Sequence, residues 1–575
     1  MTLPIFIFFA IVTVLAPMVG KYIAWVFDTK PSSRGNKVSV GIRAFLNYFW
    51  RRRTPDGHVP KWVNRHDVLR QQTWKEYFLS LMIFNLVCII STFLIIFYQK
   101  YLPTGKDVPH NINFAASVNA AISFATGTFW QSHNPEQELS LFSQIFALTM
   151  QNFLSAATGI AVFIAFVRGI INNNNPCIGN FYNDFLRSMF FILLPISFLI
   201  ALFLISGSVP HDFTGIINYA NLEGARDELF VGPIAGQAAI KHFAVNGGSL
   251  LASSSAHPFE APSRLVIMFE LFLIVIMPVA LIFTYGYCVK ALNFSWSLYG
   301  VVVFVMVSSL YVLNLGETTY SIPLILGNGG LEDNFNYTGK ELIYDKFPSL
   351  MWVLSITMSS DGSPNACLEN YSPLSTFVLF SNLVMSKFIM EGVGSGFFAM
   401  LAYLIAAVFL RGLITGNSTN FFGKKITINE INYVIIVFLI MPIGVLLFTG
   451  ITFLIPGVKE IIIYSGSQAV TDIAYNFASS FTNNGSDFSG INTSNDYFNY
   501  MTALAMFIGR YPVIYYSLAI SGSFACKQKI STDIGTHKQS SLELSFFLLI
   551  TVLIVGAIMF MPLMILGPLL EFMSM

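Results

Sequence analysis

The chain has 575 residues, 54% of them hydrophobic and only 11% charged, with a formal net charge of +1. An average soluble domain carries about 25% charged residues, so this composition excludes an ordinary water-soluble enzyme. It points to a protein solvated by lipid, whose apolar runs are long enough to cross about 30 Å of hydrocarbon at about 1.5 Å of rise per helical residue.

Ten such runs are predicted as spans: Leu3 to Phe27, Tyr77 to Tyr98, Ser140 to Val167, Arg187 to Ile205, Leu265 to Tyr287, Ser295 to Leu315, Phe377 to Leu413, Tyr433 to Leu454, Met501 to Phe524 and Leu542 to Phe572. The first has no basic segment ahead of it and no small-residue cleavage site behind it, so it reads as a retained span. Lysine and arginine divide unequally between the two sets of connecting segments. Residues 28–76 hold eleven and the rest of that set nine, against eight in the opposite set, with Lys21, Lys387 and Arg510 inside spans. A basic excess marks the cytoplasmic side, which puts the N-terminus outside and, after an even number of crossings, the C-terminus outside too. The basic segment, with Arg51, Arg52, Arg53, Lys61 and Arg65, suits anionic lipid headgroups or the docking of another subunit, and Lys424 and Lys425 carry the same two readings.

The five cysteines are scattered without a C-x-x-C pair, and the eight histidines show no zinc or haem spacing. Neither a disulfide framework nor a bound transition metal is expected, nor is a nucleic-acid partner.

On the outer side, four loops share one pattern: a half-length apolar segment, small polar residues with glycine, then a return into a span. They are SFATGTFWQ (Ser123 to Gln131), HFAVNGGSLL (His242 to Leu251), SITMSSDGSP (Ser355 to Pro364) and NFASSFTNNGSDF (Asn476 to Phe488). With Gly127, Gly247, Gly362 and Gly485 as pivots, the intervals are 120, 115 and 123 residues. Such an interval fits a span, a re-entrant half-helix and a second span. The chain therefore divides into a first span with a basic loop (1–76), four pore units (77–171, 187–290, 295–413, 433–526) and a last span (541–575). Backbone at membrane depth is tolerated only where it is buried in protein or lines a watery cavity. Glycine lets successive carbonyls turn toward one axis and replace the water shell of a cation. Half-helices ahead of each loop would aim their negative C-terminal ends at the same point. The fold expected is an all-α polytopic membrane protein built around a cation pore.

Several stretches resemble the potassium-binding A subunit of the Kdp potassium-transporting ATPase. They are GPIAGQAAIKHFAVNGGSLLASSSAHPFEAP (Gly232 to Pro262), LTMQNFLSAATGIAVFIAF (Leu148 to Phe166), GVGSGFFAM (Gly392 to Met400), FFGKKI (Phe421 to Ile426), NNGSDFSG (Asn483 to Gly490) and MFIGRYPVI (Met506 to Ile514). The resemblance implies ten spans of the potassium-channel-like superfamily and an outward-facing potassium filter in a bacterial cytoplasmic membrane. It also implies a heteromeric pump whose B subunit is the P-type ATPase, acting with C and small F subunits. This chain has no D-K-T-G-T or G-x-x-x-x-G-K-[ST] sequence, so ATP and Mg2+ would act only through the partner. Carried over by position, the K+ filter comprises Thr126, Gly127 and Thr128; Val245, Asn246, Gly247 and Gly248; Ser359, Ser360, Asp361 and Gly362; and Asn483, Asn484 and Gly485. Backbone carbonyls are expected to coordinate while side chains brace.

The family usually has Asn at Gly127, a third Gly at Ser249, a small neutral residue or Cys at Asp361 and an acidic residue at Lys387. Asp361 either faces the ion path or points behind the filter and caps N–H groups. Lys387 is expected along the internal ion route, since ionisable groups inside spans default to function. The GVGSG run, with Gly392, Gly394 and Gly396, is expected to interrupt its span as a gating loop. Arg510 either ties pore units together or sets the potential near the cavity. The alternative function is an autonomous potassium channel or a Trk/Ktr-type transporter, which shares the four-loop design. A membrane hydrolase is disfavoured because His211, His242 and His257 show no Ser or Asp partner in sequence.

Overall fold

The computed structural model describes residues 2–28, 70–104, 112–220, 224, 226–319, 335–340, 345–390, 392–393, 397–416, 419–455, 457, 462–491, 495–529 and 541–574. Most of the basic loop, together with Gly394 and Gly396, lies outside them. Among the described residues, ten helices are long and apolar enough to cross a membrane. They alternate with four shorter helices at regular places in the chain.

In chain order, α1 is Thr2–Val26 and α2 Trp74–Phe97, opened by a capping box in which Thr73 and Glu76 bond reciprocally. The short α3, Phe114–Ala125, starts where Asn113 accepts from the Ala116 N–H. Then come α4, Leu141–Ile171, and α5, Phe181–Ser206. The half-length α6 is Ile234–Phe243, followed by α7, Arg264–Val289, and α8, Leu292–Thr319. The third short helix, α9, is Lys346–Met358. After it, α10 runs Pro373–Ile389, with Pro373 in its first turn where a missing N–H costs nothing, and α11 Phe398–Thr415. Finally come α12, Ile428–Leu454, the fourth short helix α13, Ser467–Thr482, α14, Asp496–Cys526, and α15, Leu542–Met573.

The packing orders these helices into an inner and an outer set. The span that follows each short helix is deeply buried: 83% of the most apolar window of α4, 78% of α7, 72% of α11 and 67% of α14. The span that precedes each is peripheral, at 28% for α2, 39% for α5, 33% for α8 and 44% for α12. One rule therefore repeats around the molecule, with α1 packed on α7 and α15 on α8, α10 and α11 outside the ring. Outward side chains such as Leu79, Phe198 and Ile558 are large, apolar and exposed, as a lipid-facing surface requires.

Two predicted boundaries move for a local reason. The fourth span starts at Phe181 rather than Arg187, because the Asn180 side chain accepts from the Asn183 N–H and nucleates a polar first turn. The ninth starts at Asp496, capped by Asn495, five residues before its apolar run begins. The seventh predicted run is two helices. Helix α10 ends at Ile389, Met390, Gly392, Val393 and Phe397 are non-helical, and α11 resumes at Phe398.

Candidate functional site

Three of the four short helices end in the same way. In α3 the Gly127 N–H bonds the Phe124 carbonyl and the Thr128 N–H the Ser123 carbonyl. In α6 the corresponding donors are Val245, to His242, and Asn246, to Lys241. After α13 they are Asn483, to Ser480, and Asn484, to Ser479. Each is a Schellman ending, whose first residue past the cap takes the left-handed conformation. Gly127 (φ 70°), Val245 (φ 53°) and Asn483 (φ 58°) do so. A β-branched Val there is strained, and such strain concentrates at functional sites. Helix α9 ends differently, with Ser359 extended.

Past these ends the loops close into a ring. Gly247 has φ 86°, and a Cβ on it would lie 2.7 Å from the Gly362 N, so the second loop rests on the third. A Cβ on Gly362 would lie 2.2 Å from the Asn484 carbonyl oxygen, placing the third loop on the fourth. A Cβ on Gly485 (φ 97°) would lie 2.1 Å from the Thr128 carbonyl oxygen, placing the fourth on the first. The first meets the second where Gln131 Nε2 donates to the Ser249 carbonyl at 3.0 Å and the Ser249 N–H donates to Gln131 Oε1 at 2.9 Å. Only glycine combines this backbone conformation with this approach at Gly247 and Gly485.

The ring also corrects the register of the first loop. Gly362 and Gly485 each lie over the centre of the next loop, and in the first loop that centre is Phe129, between Thr128 and Trp130. Phe129 has φ 59° and packs its ring edge-on to Phe124 at 5.0 Å. Gly127 is instead the equivalent of Val245 and Asn483. Composition pointed to the glycine; counting from the helix end would have found the phenylalanine.

Amide side chains brace the ring from behind. Asn246 Nδ2 donates to the Asn152 carbonyl (2.8 Å), Asn483 Nδ2 to Thr128 Oγ1 (2.9 Å), and Asn484 Nδ2 to the Ile356 (2.7 Å) and Ser359 (2.8 Å) carbonyls. Gln237 Nε2 holds the Gly248 carbonyl at 3.0 Å. The carbonyls of Gly248 and Ser359 are thus engaged in bracing. Thr126 Oγ1 and Thr128 Oγ1 hydrogen-bond at 2.9 Å, and Ser360 is buried beside Asp361. The Asp361 carboxylate turns to the wall, where Oδ1 accepts from the Ser363 N–H at 3.2 Å and Oδ2 lies 3.1 Å from His242 Nδ1. His242, read from sequence as lacking a Ser or Asp partner, therefore has an Asp beside it, which lies 119 residues away along the chain and is brought to it by the ring.

Three further groups meet the C-terminal ends of the short helices. Arg510 Nη1 is 3.2 Å from where a Gly127 Cβ would stand, at the end of α3. Lys387 Nζ donates to the Phe481 carbonyl, in the last turn of α13, and to the Gly509 carbonyl, both at 2.9 Å. A cation at a helix C-terminus is favoured by the helix dipole. Gly392, in the break between α10 and α11, would place a Cβ 2.8 Å from the Val245 Cβ, at the end of α6.

The comparisons with known proteins agree with this architecture. The family profile described as potassium-transporting ATPase A subunit matches residues 6–573. A Leptospira interrogans serovar Lai protein named potassium-transporting ATPase potassium-binding subunit is 36% identical over 88% of this chain and 90% of its own length. A Pseudomonas fluorescens SBW25 protein of the same name is 34% identical over 99% and 98%. Among solved structures, the potassium transporter TrkH from Vibrio parahaemolyticus superposes with a TM-score of 0.52 over 88% of this chain and 96% of its own, at 12% identity, a likeness of fold. With the family profile running almost from end to end, the chain belongs to the potassium-transporting ATPase A subunit family.

Proposed function

We propose that this multi-pass membrane protein is the potassium-binding subunit of an ATP-driven potassium uptake pump, and that the ring of four loops is its selectivity filter. The observation that carries the reading is the closure of the ring through Gly247, Gly362, Gly485 and Thr128. Four backbone segments pressed together at the ends of four half-length helices can offer carbonyls to one dehydrated cation. The four helix dipoles favour positive charge at the same place. In this reading the coordinating backbone comes from residues 126–129, 245–247, 360–362 and 483–485, one segment from each of the four span, half-helix, span units. The ion enters from outside, where both termini lie, and leaves past Gly392, Lys387 and Arg510 toward the cytoplasm of a bacterial cell. A P-type B subunit hydrolyses ATP with Mg2+, assisted by C and small F subunits, and this chain hydrolyses none by itself.

The test is ATP hydrolysis by the co-expressed complex as a function of potassium, with sodium and rubidium as comparison ions. Stimulation selective for potassium and lost in Gly247→Asp supports the reading. Passive potassium flux through the chain, without any stimulation of hydrolysis, replaces it with that of a channel.

A further inference from the structure

Behind the second and third loops lies a cluster of ionisable side chains with no exposed surface: Lys241, His242, Glu260, Glu270 and Asp361. Its centre is the His242 imidazole. Nδ1 faces Asp361 Oδ2 at 3.1 Å, and Nε2 faces Glu260 Oε1 at 3.3 Å and Glu270 Oε1 at 3.9 Å. Glu260 is held by Lys241 Nζ, by Ser255 Oγ (2.8 Å) and by Ser249 Oγ (2.9 Å). The ring of Trp352, on α9, stands edge-on to the imidazole at 5.4 Å, and its Nε1 donates to the Ser363 carbonyl at 3.0 Å.

We propose that the His242–Asp361 pair is a positioning element for ion discrimination, which fixes the distance between the second and third loops of the ring and through it the size of the ion those loops accept. The inference rests on the potassium-binding reading above.

The geometry carries it in three steps. Asp361 directly precedes Gly362, whose backbone is the surface on which Gly247 rests. His242 is in the last turn of α6, and the Asn246 N–H bonds the carbonyl of the preceding Lys241. The pair thus links the two backbones immediately behind their point of contact. Through Glu260 and Ser249 the same cluster reaches Gln131, and with it the first loop. The fourth loop is held by neutral amides, Asn483 and Asn484, so the charged brace serves three of four loops. A site keeps its geometry only as well as the side chains supporting it are locked. Loss of either partner removes the link between the two backbones: after Asp361→Asn the imidazole faces only Glu260 and Glu270, on the second loop's own side, and after His242→Gln the carboxylate keeps only its Ser363 contact.

The experiment uses the purified complex carrying His242→Gln, Asp361→Asn or both. It reads the potassium concentration for half-maximal stimulation of ATP hydrolysis, the ratio of potassium to sodium and rubidium stimulation, and the thermal stability of the complex. Each single variant should raise the half-maximal concentration by about tenfold, equivalent to about 1.4 kcal/mol, and narrow the ratio. The double variant should match either single rather than their product, because the second substitution removes a partner already lost. Ion ratios equal to wild type in all three, whatever their stability, would overturn the proposal, as would additive effects. If the single variants fail to assemble, the double variant, which leaves no half of the pair behind, decides alone: wild-type ion ratios in it sink the idea. Absence of potassium stimulation in the wild-type complex would instead reject the potassium-binding reading on which the proposal stands.

Discussion

Lys387 holds its ammonium inside the protein on two carbonyls, Phe481 and Gly509, each 2.9 Å away. Those carbonyls belong to the last turn of α13 and to the buried span α14, so the lysine ties the fourth short helix to its inner helix. Hydrogen bonds to charged groups contribute about 1.5–3 kcal/mol each. Lys387→Met should therefore lower the melting temperature of the purified complex by several degrees, as read by scanning calorimetry. Lys387→Gln keeps a donor but removes the charge from the end of α13. It should change the potassium dependence of hydrolysis, and pumping indistinguishable from wild type would make the lysine a structural tether alone. Gly485 is a simpler case. At φ 97°, with a carbonyl 2.1 Å from the site of its missing Cβ, Gly485→Ala must push the first and fourth loops apart. Potassium-stimulated hydrolysis should fall by at least about tenfold, roughly 1.4 kcal/mol, with assembly on a sizing column retained.

The elements place these residues through small differences in how helices stop. Three short helices end in the same Schellman turn, which needs only one left-handed residue and accepts Gly127, Val245 or Asn483. The break between α10 and α11 works differently. Met390, Gly392, Val393 and Phe397 leave the helix in the middle of an apolar run, and Gly392 comes to rest on Val245. Such interruptions survive in membranes because neighbouring protein satisfies the freed backbone. If this segment moves during transport, a side chain at Gly392 should jam it against the strained Val245. Gly392→Val is expected to abolish potassium uptake by vesicles while leaving the chain in the membrane; uptake at the wild-type rate would remove the segment from the ion route.

For the whole molecule, peripheral and buried spans alternate along the chain, and the proposed orientation, with both termini outside, rests on the basic excess of one set of connecting segments. That orientation has a direct check in Cys526, which is exposed at the end of α14. In a variant with the other four cysteines replaced by serine, a membrane-impermeant maleimide should label Cys526 in inverted vesicles and not in right-side-out ones. The reverse result would turn the topology over.

Spans, their number and the four-loop repeat were legible along the chain because each depends on local properties: run length, apolar content and glycine in polar turns. The broken seventh run was legible for the same reason, since the run from Phe377 to Leu413 is far longer than one crossing needs and GVGSG falls inside it. What the linear order hid was every relation across the axis. Phe129, not Gly127, takes the central place of the first loop, because that place is defined by Gly485 pressing from a segment more than three hundred residues on. Asp361 faces His242, and Lys387 faces α13, because the ring brings separate units into contact. The sequence by itself determined which segments enter the membrane and which stop halfway, as hydrocarbon length and backbone hydrogen bonding act within one segment. Only the tertiary structure decided which side chain braces which loop, since those pairings exist once four segments close on one another.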